Sequence, residues 1–240
     1  MRAIITFHGI DNKDSVLSYS PALFETLLGS LEACRLPVCS LDTLLEGKTE
    51  HGVALTFDDG MQSVFRHALP VIRDHRVPAH VFLTTGAVCG DNQWPTQPND
   101  APCYKMLNWD EIEALHATGI YIESHTHTHP DLRQLSEMQI QEECEKADTI
   151  IEEHLGRLPR YFAYPYGYTS EAAQSISTQR YAGSVTTKLC YLNSNDEIGL
   201  LPRLDSYYLK SPWIIRNLDS ALSHLYLGTR SLLRSVRGSQ

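Results

Sequence analysis

Short apolar runs recur along the chain, and between them apolar residues return every three or four positions. That alternation is the rhythm of strands followed by helices. Strands are predicted at residues 3–7, 53–57, 79–84, 120–123, 161–163, 183–186 and 200–203. Residues 21–33 place Leu23, Leu27, Leu28 and Leu31 on one helical stripe, with Pro21 at a first helical position. Residues 63–75 carry Val64, Leu69, Val71 and Ile72, with Pro70 expected to bend or interrupt that helix. Asn108 followed by Glu111 reads as a capping box for a helix reaching toward Thr118. Residues 136–155 form a longer polar-faced helix that Gly156 ends, and a last helix is expected from Pro212 to about Tyr226.

About seven βα units in 240 residues predict a single α/β domain of barrel-like architecture. In such folds the working residues sit where strands end and loops begin. The chemically loaded residues follow that rule, with His8 after the first strand, Asp58 and Asp59 after the second, and His125 after the fourth. Residues 91–103 hold three prolines, two asparagines and two aspartates, and read as a long loop over one rim.

Apolar residues are 42% and charged residues 20% of the chain, a globular composition. The net charge of −9 leaves no basic excess to neutralise phosphates, so nucleic acid is not expected as a partner. No run approaches the roughly 20 apolar residues that cross a bilayer. The opening residues have one basic side chain and a short apolar run ending at His8, which reads as a first strand rather than a leader and points to the cytoplasm. Six cysteines without zinc-ribbon spacing are expected to be reduced and mostly buried, with Cys89 and Cys103 beside the rim loop the pair to watch. Arg230, Arg234 and Arg237 mark residues 227–240 as a basic, solvated tail behind a domain of residues 1–226.

Two segments carry candidate chemistry. Thr56-Phe57-Asp58-Asp59-Gly60 sets two carboxylates at a strand mouth, with a glycine that permits a sharp turn. Adjacent side chains diverge, so one carboxylate can bind a cation while the other stays free to take a proton. An Asp-Asp-Gly surface turn would have the same letters. Ser124-His125-Thr126-His127-Thr128-His129-Pro130 holds three imidazoles in five residues, too dense for an ordinary polar loop. An extended chain would put positions 125, 127 and 129 on one face, whereas a turn would pair 125 with 129 and send 127 away; Pro130 favours the turn. Two imidazoles and one carboxylate leave open positions for water and substrate, a hydrolytic arrangement.

Together with Tyr164-Pro165-Tyr166-Gly167 and the helix opening Asn108-Trp109-Asp110-Glu111, these segments resemble the polysaccharide deacetylase family, over roughly residues 4–203. The resemblance implies a distorted (β/α) barrel and one divalent metal ion, usually zinc, held by Asp59, His125 and His129. It implies Asp58 as base, a backbone N–H at Tyr166 for the oxyanion, and an acetylated carbohydrate as substrate. Phe7-His8-Gly9 is similar to the permuted branch that acts on poly-N-acetylglucosamine, where the strand bearing the proton-donating histidine comes first, so His8 is the expected general acid. Leu222-Ser223-His224 fits the Leu-x-His letters of other relatives, but it lies in an amphipathic helix and surface placement is expected.

One departure bears on the base. Relatives often carry an arginine two residues before the motif proline, where this chain has Ala163; Arg203, at a later strand end, is the candidate substitute, with a structural salt bridge as the alternative. Trp94 in the rim loop is the better candidate for stacking on a sugar, and Tyr164 and Tyr166 either shape an acetyl pocket or pack. An amidohydrolase of another small amide or cyclic imide, and a catalytically silent carbohydrate-binding relative, are the competing readings.

Overall fold

The computed structural model describes residues 1–97 and 100–237. Its strands are β1 (Arg2–Phe7), β2 (Gly9–Ile10), β3 (Ser18–Tyr19), β4 (Gly52–Phe57), β5 (His80–Leu83), β6 (Tyr121–Ser124), β7 (Tyr161–Ala163), β8 (Gly183–Leu189) and β9 (Leu201–Asp205). The helices are α1 (Pro21–Ala33), α2 (Leu41–Leu45), α3 (Leu69–His75), α4 (Trp109–Ala117), α5 (Glu137–Leu155), α6 (Glu171–Arg180), α7 (Pro212–Arg216) and α8 (Ala221–Arg237). Seven strands close a parallel barrel in the order β1, β4, β5, β6, β7, β8, β9, and β2 pairs β3 in a separate two-stranded sheet. The closure is uneven, as a distorted barrel requires. β1 and β4 pair over six residues, whereas β6 and β7 share only Ser124 with Phe162, and β1 meets β9 only through Ile5–Leu204 and Thr6–Asp205.

Strand alternation divides the core in two. Ala3, Ile5, Phe7, Val53, Leu55, Phe57, Val81, Leu83, Ile122 and Leu204 face outward and join α1, α4 and α5 through Phe24, Leu27, Leu31, Leu115 and Ile151. Ile4, Ala54, Phe82, Tyr161, Ala163, Val185 and Leu201 fill the lumen, with Leu41 and Leu44 of α2 packed against them. Residues 4, 6 and 8 therefore share one parity, as do 54, 56 and 58, 121, 123 and 125, and 201 and 203. The parity that builds the lumen also points the residues just past the strand ends into the mouth of the barrel.

The expected interruption at Pro70 is met, and other expectations are revised. Pro70 is preceded by a π-helical stretch, Val64–Ala68, before α3 resumes; a ring without an N–H is accommodated at the widened turn. The helix expected from Pro212 to about residue 226 is broken at residues 217–220, where the Ser220 hydroxyl accepts from the Ser223 N–H and starts a new helix. That helix, α8, runs on through Arg237, so residues 227–237 are helical, and the solvent-facing character expected of them holds at Gly228, Thr229, Arg230, Leu232 and Leu233, which are exposed; residues 238–240 lie outside the described residues. Cys144 is the buried thiol, whereas Cys34, Cys89 and Cys103 are exposed and not in disulfides, against the expectation of mostly buried sulfurs. No helix among the described residues is long and apolar enough to cross a membrane.

Candidate active site

At the C-terminal end of β4 the ladder continues one step, with the Asp58 N–H donating to the Phe7 carbonyl at 2.9 Å. Asp58 keeps the inward parity of Ala54 and Thr56. Asp59 then adopts φ 71° and Gly60 φ 90°, so the chain turns sharply and the two carboxylates separate. Gly60 is required there, because a Cβ would lie 2.5 Å from Leu83 Cδ1 as well as sitting on a left-handed backbone.

Asp58 meets Arg203 across the lumen. The guanidinium donates from Nη1 to one carboxylate oxygen at 2.7 Å and from Nη2 to the other at 2.6 Å, a two-pronged charge-assisted contact. The same side chain donates from Nε to the Thr186 carbonyl at 2.9 Å and from Nη1 to the Thr56 hydroxyl at 3.3 Å. Burial by itself would raise the Asp58 carboxyl; the Arg203 charge and its hydrogen bonds outweigh burial and hold it below the ordinary value.

Asp59 faces the other way, toward the histidine loop. Thr126 and His129 both have positive φ, at 65° and 57°, which coils residues 125–129 so that His125 and His129 converge. His127 is turned out, its Nδ1 paired with the Thr85 hydroxyl at 2.9 Å and its N–H donating to Glu143. The His125 Nδ1 donates to the Ala163 carbonyl at 2.7 Å, which fixes the tautomer and leaves Nε2 as the free lone pair. His125 Nε2 and His129 Nε2 lie 3.4 and 3.5 Å from the same Asp59 oxygen.

Those spacings are long for a charge-assisted hydrogen bond, at about 2.7–2.9 Å. They fit the edge of a coordination tetrahedron, which is about 3.4 Å for ligand distances of about 2.1 Å. The three donor atoms lie within 4.8 Å of one another and are buried. Burial opposes ionisation of Asp59, but the neighbouring imidazoles hold its carboxyl far below its usual range. Burial and the nearby His125 push His129 down to about 3, so it is neutral at pH 7. Burial also pulls His125 down, yet the two carboxylates outweigh it and raise it. An ionised Asp59 and a neutral His129 are the forms a divalent cation needs of its ligands.

A small cavity of about 80 Å³ joins these groups, lined by His8, Asp58, Asp59, His125, His129 and Tyr166 among others. That is room for a few small groups, since about 10–15 Å³ of such volume holds one water. It adjoins a wider cleft of about 470 Å³, also lined by His8 and Tyr166, with Tyr168, Tyr207 and Tyr208 on its walls. Tyr166 sits on a left-handed turn at φ 60°, and among the described residues nothing accepts from its backbone N–H.

Other expected residues fall differently. The Tyr164 hydroxyl is spent on Ser177 and the Gly199 carbonyl, so Tyr164 lines the cavity without offering that group to it. Trp94 stacks on the His129 imidazole, with ring centroids 4.1 Å apart, and its Nε1 donates to the Tyr166 hydroxyl at 3.0 Å, so one face is already covered. His224 stacks on Tyr191 and lies 3.7 Å from Asp219, which also lies 3.7 Å from the chain's amino group at the start of β1; it belongs to the other end of the barrel. Two site residues lie outside the sequence motifs. Thr187 lines both cavities and follows the parity of Val185, whereas Thr96, whose hydroxyl reaches the His129 carbonyl and the Tyr166 hydroxyl, has no signal in the sequence.

The profile of the family described as polysaccharide deacetylase matches residues 46–182, which takes in Asp58 through Tyr166 and leaves out His8 and Arg203. A poly-beta-1,6-N-acetyl-D-glucosamine N-deacetylase of Staphylococcus aureus is 26% identical over 187 residues, 73% of this chain and 58% of its own length. The chain thus spans under two thirds of the curated relatives it resembles. Among solved structures, Streptococcus pyogenes deacetylase PplD in complex with acetate superposes with a TM-score of 0.74 at 22% identity, covering 85% of this chain and 91% of its own. IcaB from Ammonifex degensii does so at 0.71 and 24%, covering 89% and 96%. These likenesses carry the fold, and the profile match, across more than half the sequence and its carboxylate and histidine motifs, makes this chain a member of the polysaccharide deacetylase family.

Proposed function

We propose that the protein is a metal-dependent hydrolase that removes N-acetyl groups from an acetylated amino sugar or its polymer. The observation that carries this reading is the pair of diverging carboxylates, one lying 3.4 and 3.5 Å from two converging imidazoles and the other gripped by Arg203 beside the same small cavity. Asp59, His125 and His129 would hold a divalent ion, with zinc the expected one. When bound, that ion supplies Lewis acidity and a water that ionises near neutral pH.

The chain's own groups do the rest. Asp58 takes the proton; a carboxylate offers about four acceptor sites, so two bonds from Arg203 leave capacity on each oxygen. Arg203 keeps that carboxylate ionised and fixes its plane. The Tyr166 N–H faces no competing acceptor among the described residues and is the proposed oxyanion donor. His8, at the mouth end of β1 and in both cavities, is the proposed acid for the departing amine. The small cavity suits an acetyl group, and the wider tyrosine-walled cleft suits the sugar. Arg203 meeting Asp58 in place of a residue-163 arginine supports an active enzyme over a silent relative.

An acetate-release screen over poly-N-acetylglucosamine, chito-oligomers, peptidoglycan fragments, nucleotide sugars and cyclic imides tests the reading. Acetate is expected from at least one N-acetylated sugar, with one divalent ion per chain by elemental analysis. Asp58→Asn should retain the ion and lose about 10²–10⁴-fold in rate, the usual worth of a positioned base. Opened imides without acetate, or no metal uptake, would overturn it.

A further inference from the structure

A metal-binding histidine ordinarily donates its second ring N–H to a carboxylate or carbonyl, and that bond fixes the ring. His125 obeys, through Ala163. His129 does not: its Nδ1 is buried, and no group among the described residues pairs with it. What holds this ring is contact. Trp94 lies against one face at 27° and 4.1 Å, and Tyr166 meets it edge-on at 4.5 Å. The backbone beneath is pinned as well, with the His129 N–H donating to the Thr126 hydroxyl at 3.1 Å and its carbonyl accepting from Thr96 at 2.9 Å.

Trp94 is itself seated firmly. It packs with Met61, Tyr104 and Met106 and is 9% exposed. The rim loop around it is tied across by the bridge between Asp91 and Lys105 and by the Tyr104 N–H donating to the Asn92 side chain at 2.7 Å. The indole N–H and the Thr96 hydroxyl both meet the Tyr166 hydroxyl, so one short segment grips the second imidazole and the tyrosine together.

We infer that Trp94 is the positioning residue of His129, its indole face taking the orienting role that a hydrogen bond plays for His125. The inference rests on the metal-site reading above. It separates Trp94 from a sugar platform, since a platform must present a free face to the substrate.

The test compares Trp94→Phe, Trp94→Leu and Trp94→Ala for zinc affinity, by competition with a chelating indicator. Phe keeps a flat ring and is expected to bind near the wild-type value. Leu and Ala are expected to weaken zinc about 10–100-fold, the usual loss when a ligand's supporting partner is removed. Trp94→Leu keeps apolar packing against Met61 and Met106, so it carries the comparison should Trp94→Ala not fold. Kinetics give a second readout: at limiting zinc the Leu variant should lose kcat with KM for an acetylated oligosaccharide unchanged, and saturating zinc should restore it. Unchanged zinc affinity with a raised KM in the Leu variant would overturn the inference. A wild-type chain that binds no zinc would instead sink the metal-site reading on which the inference stands.

Discussion

Arg203→Met isolates what the lumen guanidinium contributes. Both partners of the Asp58–Arg203 pair are nearly sealed, at 4% and 1% exposure of their side chains. Methionine has similar length and no charge, so the change leaves a buried carboxylate without a counter-charge, a loss of about 3–5 kcal/mol. The Thr186 carbonyl also loses its Nε donor, adding about 1 kcal/mol. For a domain of this size about 4–6 kcal/mol lowers the melting midpoint by roughly 8–24 °C. Replacing both partners, as Arg203→Met with Asp58→Asn, should cost less than Arg203→Met alone, because no isolated charge remains.

The pH dependence follows with a definite sign. In the wild type the folded Asp58 carboxyl lies below its unfolded value of about 3.9, so its stabilisation is complete above that pH and is lost as pH falls through the folded value. In Arg203→Met only the smaller effects of His125 and His8 oppose burial, which raises the folded value above about 3.9, so the variant is penalised at neutral pH and recovers on acidification toward pH 4. The stability gap should be widest near pH 7.5 and narrow by pH 4.5, read by urea unfolding with chelator present. A gap that does not change with pH, or one under about 1 kcal/mol at pH 7.5, would refute the reasoning, as would a double variant less stable than Arg203→Met.

Two further outcomes follow from the mouth of the barrel. His8→Ala should lower turnover more than His224→Ala, since His8 lines the cavity shared with Asp58 and His224 stacks on Tyr191; the reverse order in acetate-release kinetics would move the acid to α8. Gly167→Ala should destabilise by about 2–4 kcal/mol and slow turnover, because φ is +72° there and a Cβ would fall 2.1 Å from the Thr187 hydroxyl, displacing Tyr166; a thermal midpoint equal to wild type would refute this.

The barrel was legible because its strands are apolar on both faces and separated by strong helical stripes, so seven runs of letters mark seven strands. What escaped were α6, whose buried side is only Ala173, Ile176 and Ser177 and so makes little apolar stripe, and elements too short to carry a period: the pair β2–β3, the helix α2, and the break before α8, where Ser220 and Ser223 supply a cap inside an otherwise helical run. The carboxylates and histidines were legible for a related reason. Asp58 and Asp59 are neighbours and must diverge, and His125 and His129 are one turn apart and can converge, while which carboxylate joins the imidazoles came from the family resemblance.

Arg203 and Trp94 are different, because their partners are distant in sequence and depend on strand order and on the fold of a rim loop. Their cases still part company. Arg203 has the parity of Leu201, Asp58 that of Ala54, and both strands flank β1, so periodicity with the order of strands puts the two in one lumen layer. Trp94 lies in a loop with no period, and nothing but the fold shows its face against His129. Ala163 follows the lumen parity as well, as a small residue on β7. Read letter by letter, the alanine is a lost arginine. In the closed barrel every strand borders one lumen, so a carboxylate at the mouth of β4 can be gripped from β9 as well as from β7, and the charge pairing is relocated rather than lost.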